Sequence, residues 1–184
     1  MFTDNFNKIQ KLYFGATSSV SLVRCDGVSC GLNMDKTGSK AGLVTAMSTV
    51  RCTTQEAVKS GSSTSLNYPG IWLGTGSTPP TKDDYRLESV IQSGLSLSNG
   101  SFRSVNGDDG KYTYIMEIVL RNTTESEIVI REIGLFGQPV TGSNSPFANH
   151  LVLLRRDVLD NPITIPVGEA RLVTFTLTFN QPSQ

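Results

Sequence analysis

The sequence predicts an all-β fold: an antiparallel β-sandwich, of jelly-roll or immunoglobulin-like type, with a short N-terminal helix. Apolar and polar residues alternate with a period of two along residues 111–121 and 171–180, as in strands with one buried face. Turn-forming residues recur about every eight to twelve positions, which leaves room for about seven short strands. No segment repeats at a fixed period, so neither a solenoid nor a propeller is expected.

The helix predicted near the start spans residues 3–14. Thr3 or Asp4 can cap its first turn, and Gly15 ends it. Its apolar stripe consists of Phe2, Phe6, Ile9 and Tyr13. A helix of this length is marginally stable alone in water, so the stripe must be buried against another surface. We expect the stripe to supply assembly contacts and residues 1–15 to form an N-terminal helical arm.

Residues 16–69 are rich in Ser, Thr and Gly, and their apolar runs are short, at 20–23 and 43–50. Such runs predict weakly specified strands that are joined by long loops. An Asp-Gly pair at 26–27 is typical of a hairpin turn between two of them. We interpret the segment as an elaboration that contacts neighbours.

Residues 70–184 are predicted to form the sandwich core. The apolar run 71–74 indicates a buried strand. Two consecutive prolines at 79–80 then remove two amide donors, which predicts a rigid surface connection. The Asn-Gly pair at 99–100 predicts a tight hairpin turn between two short strands.

The later strands show which of their faces should be buried. In residues 111–121 the predicted inward side chains are Tyr112, Tyr114, Met116, Ile118 and Leu120. In residues 171–180 they are Val173, Phe175, Leu177 and Phe179. Two shorter strands are predicted between these segments, at 151–155 and 163–165, before a turn at 167–169.

Charge and hydropathy argue against several classes of function. Lys and Arg total 16, Asp and Glu total 16, and the formal net charge is zero, whereas binding to phosphates needs a basic excess. We therefore expect no direct contact with nucleic acid. No apolar run is long enough to span a membrane, and the start lacks the basic and apolar regions of a secretion signal, so synthesis in the cytoplasm is expected.

Candidate catalytic and metal-binding residues are sparse. His150 is the only histidine, and no nucleophile-elbow motif accompanies it, which leaves a hydrolase built around it as the weakest alternative. Cys25, Cys30 and Cys52 could join His150 in a zinc site, but the second pair of ligands is far apart in sequence. Buried thiols, or a disulfide between Cys25 and Cys30, are simpler interpretations. We predict no catalytic residue, no metal and no cofactor.

Two pairs of adjacent aspartates, at 83–84 and 108–109, offer a calcium site or an acid–base pair as alternatives. Neighbouring side chains on an extended chain point apart, so each pair is better interpreted as a turn former.

Trp72, Tyr68 and Tyr85 could form an aromatic platform for a sugar, although aromatic residues in strands are more often core residues. The arginine pair at 155–156 is a basic spot of two residues and not a patch.

Two stretches resemble one family, and two later ones continue its pattern. Residues 74–88 resemble a segment of the form GTGTTPPTxxDxxL that is common in structural proteins of tailed bacteriophages, and residues 130–136 resemble the ITEIGLF strand that follows it in those proteins. The family pattern continues with an LLxRxV strand and a proline-led turn, which residues 153–158 and 165–169 match. The order agrees across residues 70–180, well over half of the chain.

The resemblance implies a virion component of β-sandwich type that lies in the tail or baseplate, the neck or collar, or the head (capsid) surface. The expected function is that of a non-enzymatic structural subunit that forms homo-oligomers and contacts other virion proteins. The alternative from another class is a carbohydrate-binding or adhesion module, with Trp72 and the turn aspartates at the site and a host-surface glycan as the partner.

Overall fold

A computed structural model describes the parts of the chain that form its regular structure. The described residues are 1–13, 19–25, 27, 29–33, 42–44, 50–51, 70–106, 111–140 and 151–180. Their elements, in chain order, are α1 (Asp4–Tyr13), β1 (Ser19–Val23), β2 (Ser29–Asn33), β3 (Gly42–Val44), β4 (Val50–Arg51), β5 (Gly70–Gly74), β6 (Leu95–Asn106), β7 (Lys111–Asn122), β8 (Ile128–Val140), β9 (Val152–Ile165) and β10 (Ala170–Asn180). None of the helices in these ranges is long and apolar enough to cross a membrane.

These elements confirm the predicted class, an all-β antiparallel sandwich with one short N-terminal helix; they do not single out a jelly-roll or an immunoglobulin-like arrangement. Contacts divide the chain into two compact units, one of Met1–Ser93 with Ile130–Ile163 and one of Gly94–Val129 with Thr164–Gln184. The first unit includes the N-terminal helix. The predicted boundaries after residues 15 and 69 stay predictions.

The first unit is built around β5 and β8. β5 pairs antiparallel with β8, with Trp72 opposite Gly134, and β8 also pairs with β3 and with β9. β4 is the parallel exception, paired with β5 over two residues. β1 and β2 form a separate antiparallel hairpin. The core cluster of this unit consists of Trp72, Leu87, Phe136, Leu151 and Leu153. All of β5 is buried, as the apolar run predicted.

The second unit contains a three-stranded antiparallel sheet in the order β10–β7–β6. The predicted faces are confirmed at the centre of the two strands, whereas Tyr114 and Leu177, predicted inward, are half-buried. Met116, Ile118, Leu120, Val173 and Phe175 are buried, whereas Leu172, Thr174 and Thr176 are exposed. The alternation in the sequence therefore reports the side of the sheet on which each residue lies.

The predicted hairpin at residues 99–100 is wrong, because β6 continues through both of them. Ser98 pairs with Val119 and Ser101 pairs with Glu117, so β6 advances by three residues where β7 advances by two. The chain accommodates the Asn-Gly pair as a bulge, because pairing along the rest of β7 outweighs the local turn preference. The later turn residues, 107–110, lie outside the described part of the chain.

The predicted break between strands at 151–155 and 163–165 is also wrong. β9 is one strand of 14 residues that runs through Pro162. Proline is tolerated in strands where its missing N–H is not needed by the ladder. Residues 160–162 are exposed.

Candidate functional site

The segment after β5 folds back onto the strand that it leaves. Residues 75–90, here called the 75–90 loop, are closed at their base by the amide of Thr75, which donates to the Ser89 carbonyl at 2.7 Å. The amide of Ile91 donates to the carbonyl of Leu73 at 2.9 Å, and Gly74 and Val90 form an isolated β-bridge. The loop is therefore fixed at both ends to the first unit.

A buried arginine lies beneath this loop. Arg156 on β9 is 3% exposed, and its Nε donates to Oε2 of Glu132 on β8 at 2.8 Å. Its Nη1 donates to Asp84 Oδ2 at 2.9 Å, and its Nη2 reaches Glu88 Oε2 at 3.5 Å. These four residues are here called the Arg156 cluster. One guanidinium thus joins two neighbouring strands to two positions of the loop.

Glu132 is fully buried, and all its oxygens are engaged by the loop and by Arg156. Its Oε1 accepts the amides of Gly76 at 3.2 Å and Ser89 at 2.7 Å, while Oε2 accepts the amide of Glu88 at 3.2 Å. A carboxylate has about four lone-pair sites, and here all are used. Glu132 therefore supplies acceptors to three loop amides, of which that of Gly76 is buried.

The two loop carboxylates organise the loop itself. Glu88 Oε2 accepts the amides of Ser77 at 2.9 Å and Thr78 at 2.8 Å, and its Oε1 accepts the Thr78 hydroxyl at 2.9 Å. Asp84 accepts the amide and the hydroxyl of Thr81, at 3.0 and 2.8 Å. Asp84 is thus a turn former, as predicted, but it is also paired with a buried cation.

The charges of the cluster stabilise each other. Burial alone would raise the pKa of Asp84, but the hydrogen bonds from Arg156 and from Thr81 outweigh it and hold that pKa below its ordinary value. The amide and hydroxyl of Thr78 lower the pKa of Glu88, and the charge of Arg156 adds to this. Burial would lower the pKa of Arg156, but its bonds to Asp84 and Glu132 raise it. Asp84, Glu88 and Arg156 are therefore ionised at neutral pH.

Three glycines in the segments that resemble the phage family, residues 74–88 and 130–136, leave space for this packing. A Cβ on Gly74 would lie 2.5 Å from Glu132 Oε1 and 2.6 Å from the backbone oxygen of Ser89. A Cβ on Gly76 would lie 2.6 Å from the same Glu132 oxygen. On β8, a Cβ on Gly134 would lie 2.7 Å from a methyl group of Leu87. Each glycine is required by close approach rather than by an unusual backbone angle.

The outer side of the loop borders a depression of about 470 Å³. It is lined by residues of the loop, including Thr81, Asp83, Tyr85 and Arg86, and by Arg156. The Arg86 guanidinium lies 5.5 Å from the centre of the Tyr85 ring. Here an aromatic ring and carboxylates lie side by side at the surface.

The N-terminal stripe is attached to the first unit. Phe2 and Phe6 are half-buried and stacked, with ring centres 4.3 Å apart, and the Arg155 guanidinium lies 5.1 Å from the Phe2 ring. Ile9 is 3% exposed and belongs to the core of its own chain, so it is not available to a partner. The side chain of Tyr13 lies outside the described part. An assembly role therefore stays a prediction for Phe2 and Phe6.

The polar residues between these apolar positions anchor the segment. The Thr3 hydroxyl donates to the Leu153 carbonyl at 2.6 Å. Asn5 forms two hydrogen bonds with the backbone of Val23. Its Nδ2 donates to the Val23 carbonyl at 2.7 Å, and its Oδ1 accepts a bond from the Val23 amide at 2.8 Å. The N-terminal segment thus contacts both β9 and β1.

The other sequence candidates are placed as follows. Trp72 is 2% exposed and belongs to the core, which removes it from any surface platform for sugars. Cys25 packs against the same core cluster. Among the described residues, no group of three or more His, Cys, Asp or Glu side chains is arranged to hold a metal ion. Tyr68, Asp108, Asp109, Cys52, His150 and the side chain of Cys30 lie outside the described part.

The Arg156 cluster was not predicted from the sequence, in which Arg156 was interpreted as half of a basic spot and Glu132 had no role. The available signal was a charged residue inside each of two apolar strands, since a buried charge must be paired.

Comparisons with family models, with curated proteins and with solved structures found no match to this chain.

Proposed function

We propose that this chain is a non-enzymatic structural subunit of a bacteriophage particle, a homo-oligomer of the tail, the neck or collar, or the head surface. The proposal is supported mainly by the Arg156 cluster, because three of the segments that resemble the phage family meet there. The loop supplies Asp84 and Glu88, the IREIGLF strand supplies Glu132, and the LLRRDV strand supplies Arg156. Segments that are separate in the sequence are therefore joined by the same set of hydrogen bonds.

Each residue that takes part in the Arg156 cluster has a structural role. Gly74 and Gly76 admit the carboxylate of Glu132, and that carboxylate accepts three loop amides. No oxygen of Glu132 is left to act on a substrate, since each is committed to a hydrogen bond within the chain. This pattern favours a holding role over an acid–base role.

A rigidly held loop suits a protein that works through contacts. The 75–90 loop exposes Ser77, Thr78 and Pro79, together with Lys82 and Asp83. Because the loop is fixed before a partner arrives, binding through these residues costs little conformational entropy. A buried ionic cluster is a weak source of net stability, but it specifies one geometry. That property supports a role in assembly, where geometry must repeat from copy to copy.

The test is the position of the protein in purified particles. Particles from a producing culture are banded by density, and the peptides of this chain are quantified beside those of known virion proteins. We expect stoichiometric recovery with the particles and immunogold labelling at one fixed location on them. Recovery only in the unassembled cytoplasmic fraction would contradict the proposal.

A second candidate function, a carbohydrate-binding or adhesion module, is favoured by the depression beside Tyr85 and Asp83. An aromatic ring next to carboxylates is a common arrangement for binding a sugar. Glycan-array binding that disappears in Tyr85→Ala, but not in a control such as Lys82→Ala, would support it. Absence of binding to any glycan would leave the structural role as the better account.

A further inference from the structure

Strand β10 ends the sheet of the second unit without the usual protection of an edge. It pairs with β7 along all 11 of its residues without a register shift, and among the described strands it has no neighbour on its other side. Its one charged residue is Arg171, at the second position of the strand, and residues 172–180 contain no charged residue, no proline and no glycine. An uninterrupted edge of this kind is a template for pairing with another chain, which natural proteins normally prevent with charges, prolines or bulges.

The opposite edge of the same sheet carries such protection. β6 is interrupted by the register shift between Ser98 and Ser101, and it bears the exposed charge of Arg103. The two edges therefore differ in the features that decide whether a strand can be extended by another chain. The difference points to β10 as the edge that is kept open.

The outward face of β10 also fits a copy of itself. Leu172 is 67% exposed, and Thr174 and Thr176 follow it on the same face. Cross-strand threonine pairs are favourable in sheets, and one already forms on this strand, where the hydroxyls of Thr113 and Thr178 lie 3.2 Å apart. Pairing two β10 strands would place threonines near threonines and would oppose no like charges.

We propose that β10 is a self-association edge that pairs antiparallel with β10 of a second copy of this chain, across a two-fold axis. The pair would join two three-stranded sheets into one of six strands. A two-fold contact uses the same edge on both copies, so it needs no complementary surface elsewhere. Head-to-tail pairing of β10 with β6 is disfavoured because the bulge in β6 interrupts its ladder. The inference rests on the homo-oligomer in the proposed function, and it identifies β10 as the strand through which two copies contact each other.

The test places charges on the outward face of β10. In Leu172→Lys/Thr176→Lys, two exposed residues that lie opposite Val119 and Ile115 of the same chain become lysines. Folding of the single chain should be preserved, while lysines from two copies would repel each other across the axis. The matched control, Ser98→Lys/Val105→Lys, puts two lysines at exposed positions of β6, opposite Val119 and Thr113 on the same outward face.

Light scattering over a dilution series measures the mass. We expect the unmodified protein and the β6 control to have at least twice the mass of one chain, and the β10 variant to have half the mass of the unmodified protein. A monomer at every concentration would overturn the proposal, as would dissociation of the β6 control. An oligomer that persists in the folded β10 variant would overturn the β10 contact alone and leave the homo-oligomer standing on another surface. Dissociation at β10 without recovery in virions would overturn only the proposed function.

Hydrogen exchange of the unmodified protein gives a second readout that does not depend on how the variants fold. In an antiparallel ladder, alternate amides of β10 point away from β7. These amides should be protected at high protein concentration and exchange at least tenfold faster on dilution, while the amides that face β7 stay protected. Equal exchange at both concentrations would overturn the pairing.

Discussion

Arg156 and Glu132 form a pair in which both side chains are buried, at 3% and 0% exposure, with Nε donating to Oε2 at 2.8 Å. The pair joins the neighbouring strands β8 and β9, and Nη1 and Nη2 of Arg156 donate to the carboxylates of the 75–90 loop. Each partner compensates for the desolvation of the other, so neither can be removed alone without leaving a buried charge.

Replacing both partners should therefore cost less than the sum of the two single replacements. We expect Glu132→Leu to lower the free energy of unfolding by about 3–5 kcal/mol, because it leaves Arg156 and three loop amides without their acceptor. In Glu132→Leu/Arg156→Leu the loss should fall short of the sum of the single losses by roughly 0.5–3 kcal/mol. Urea unfolding of the four proteins measures this coupling.

Glu125→Ala is a suitable control for the same series, because this glutamate is exposed in the turn before β8. Its effect should stay within about 0.5 kcal/mol. Strictly additive losses at Glu132 and Arg156 would show that the two residues do not act as a pair.

The glycines of the family-like segments offer a test that leaves every charge in place. Gly74→Ala brings a methyl group within 2.5 Å of Glu132 Oε1 and 2.6 Å of a backbone oxygen, so the loop must shift. We expect a loss of about 1–3 kcal/mol, as for other overpacked sites. Ser77→Ala, at an exposed position of the same loop, should change stability little. Equal thermal midpoints for both variants would contradict the packing of the loop on Glu132.

Much of the strand structure could be predicted because the polarity of each strand residue indicates whether its side chain is buried or exposed. The period of two placed Met116, Ile118 and Phe175 inside, and all are buried. The errors arose where local preference competed with distant pairing. The Asn-Gly pair at 99–100 favours a turn and Pro162 favours a break, yet both lie within strands. A sequence pattern shows the preference but not the partner that overrides it.

The Arg156 cluster could not be predicted in the same way. Its members are separated from Arg156 by 24, 68 and 72 residues along the chain. A charge within an apolar strand indicates that it must be paired, but it does not say with which residue. The segments that resemble the phage family contain all four residues, but the resemblance does not show that they meet.

The anchoring of the N-terminal segment leads to a third prediction. Asn5 exchanges two hydrogen bonds with the backbone of Val23, so Asn5→Ala leaves a buried amide and a carbonyl without partners. We expect a loss of about 1–3 kcal/mol in unfolding free energy. Asn7→Ala, at an exposed position of the same helix, is the control and should have a small effect. A stable Asn5→Ala protein would favour a free arm, as the sequence first indicated.

The carboxylates of the cluster also predict how stability depends on pH. The pKa values of Asp84 and Glu88 are lowered from ordinary values of 3.8 and 4.5, so both residues bind protons more weakly in the folded state than in the unfolded state. Their contribution is fully present above the unfolded pKa values and is lost as the pH falls through the lower, folded ones. Asp84 and Glu88 should therefore add no pH dependence between pH 7 and about pH 5, and should weaken the protein progressively below about pH 4.5.

Urea midpoints of the unmodified protein, Asp84→Asn and Asp160→Asn, measured from pH 7 to pH 3, isolate the contribution of Asp84. The asparagine at 84 still accepts hydrogen bonds but has no charge to lose, so this variant should be weaker at pH 7 and should lose less stability on acidification. Asp160 is exposed on β9, and its variant should follow the unmodified curve. If Asp84→Asn showed the same acid-induced loss as the unmodified protein, the pH dependence would have to originate outside the pairing of Asp84 with Arg156.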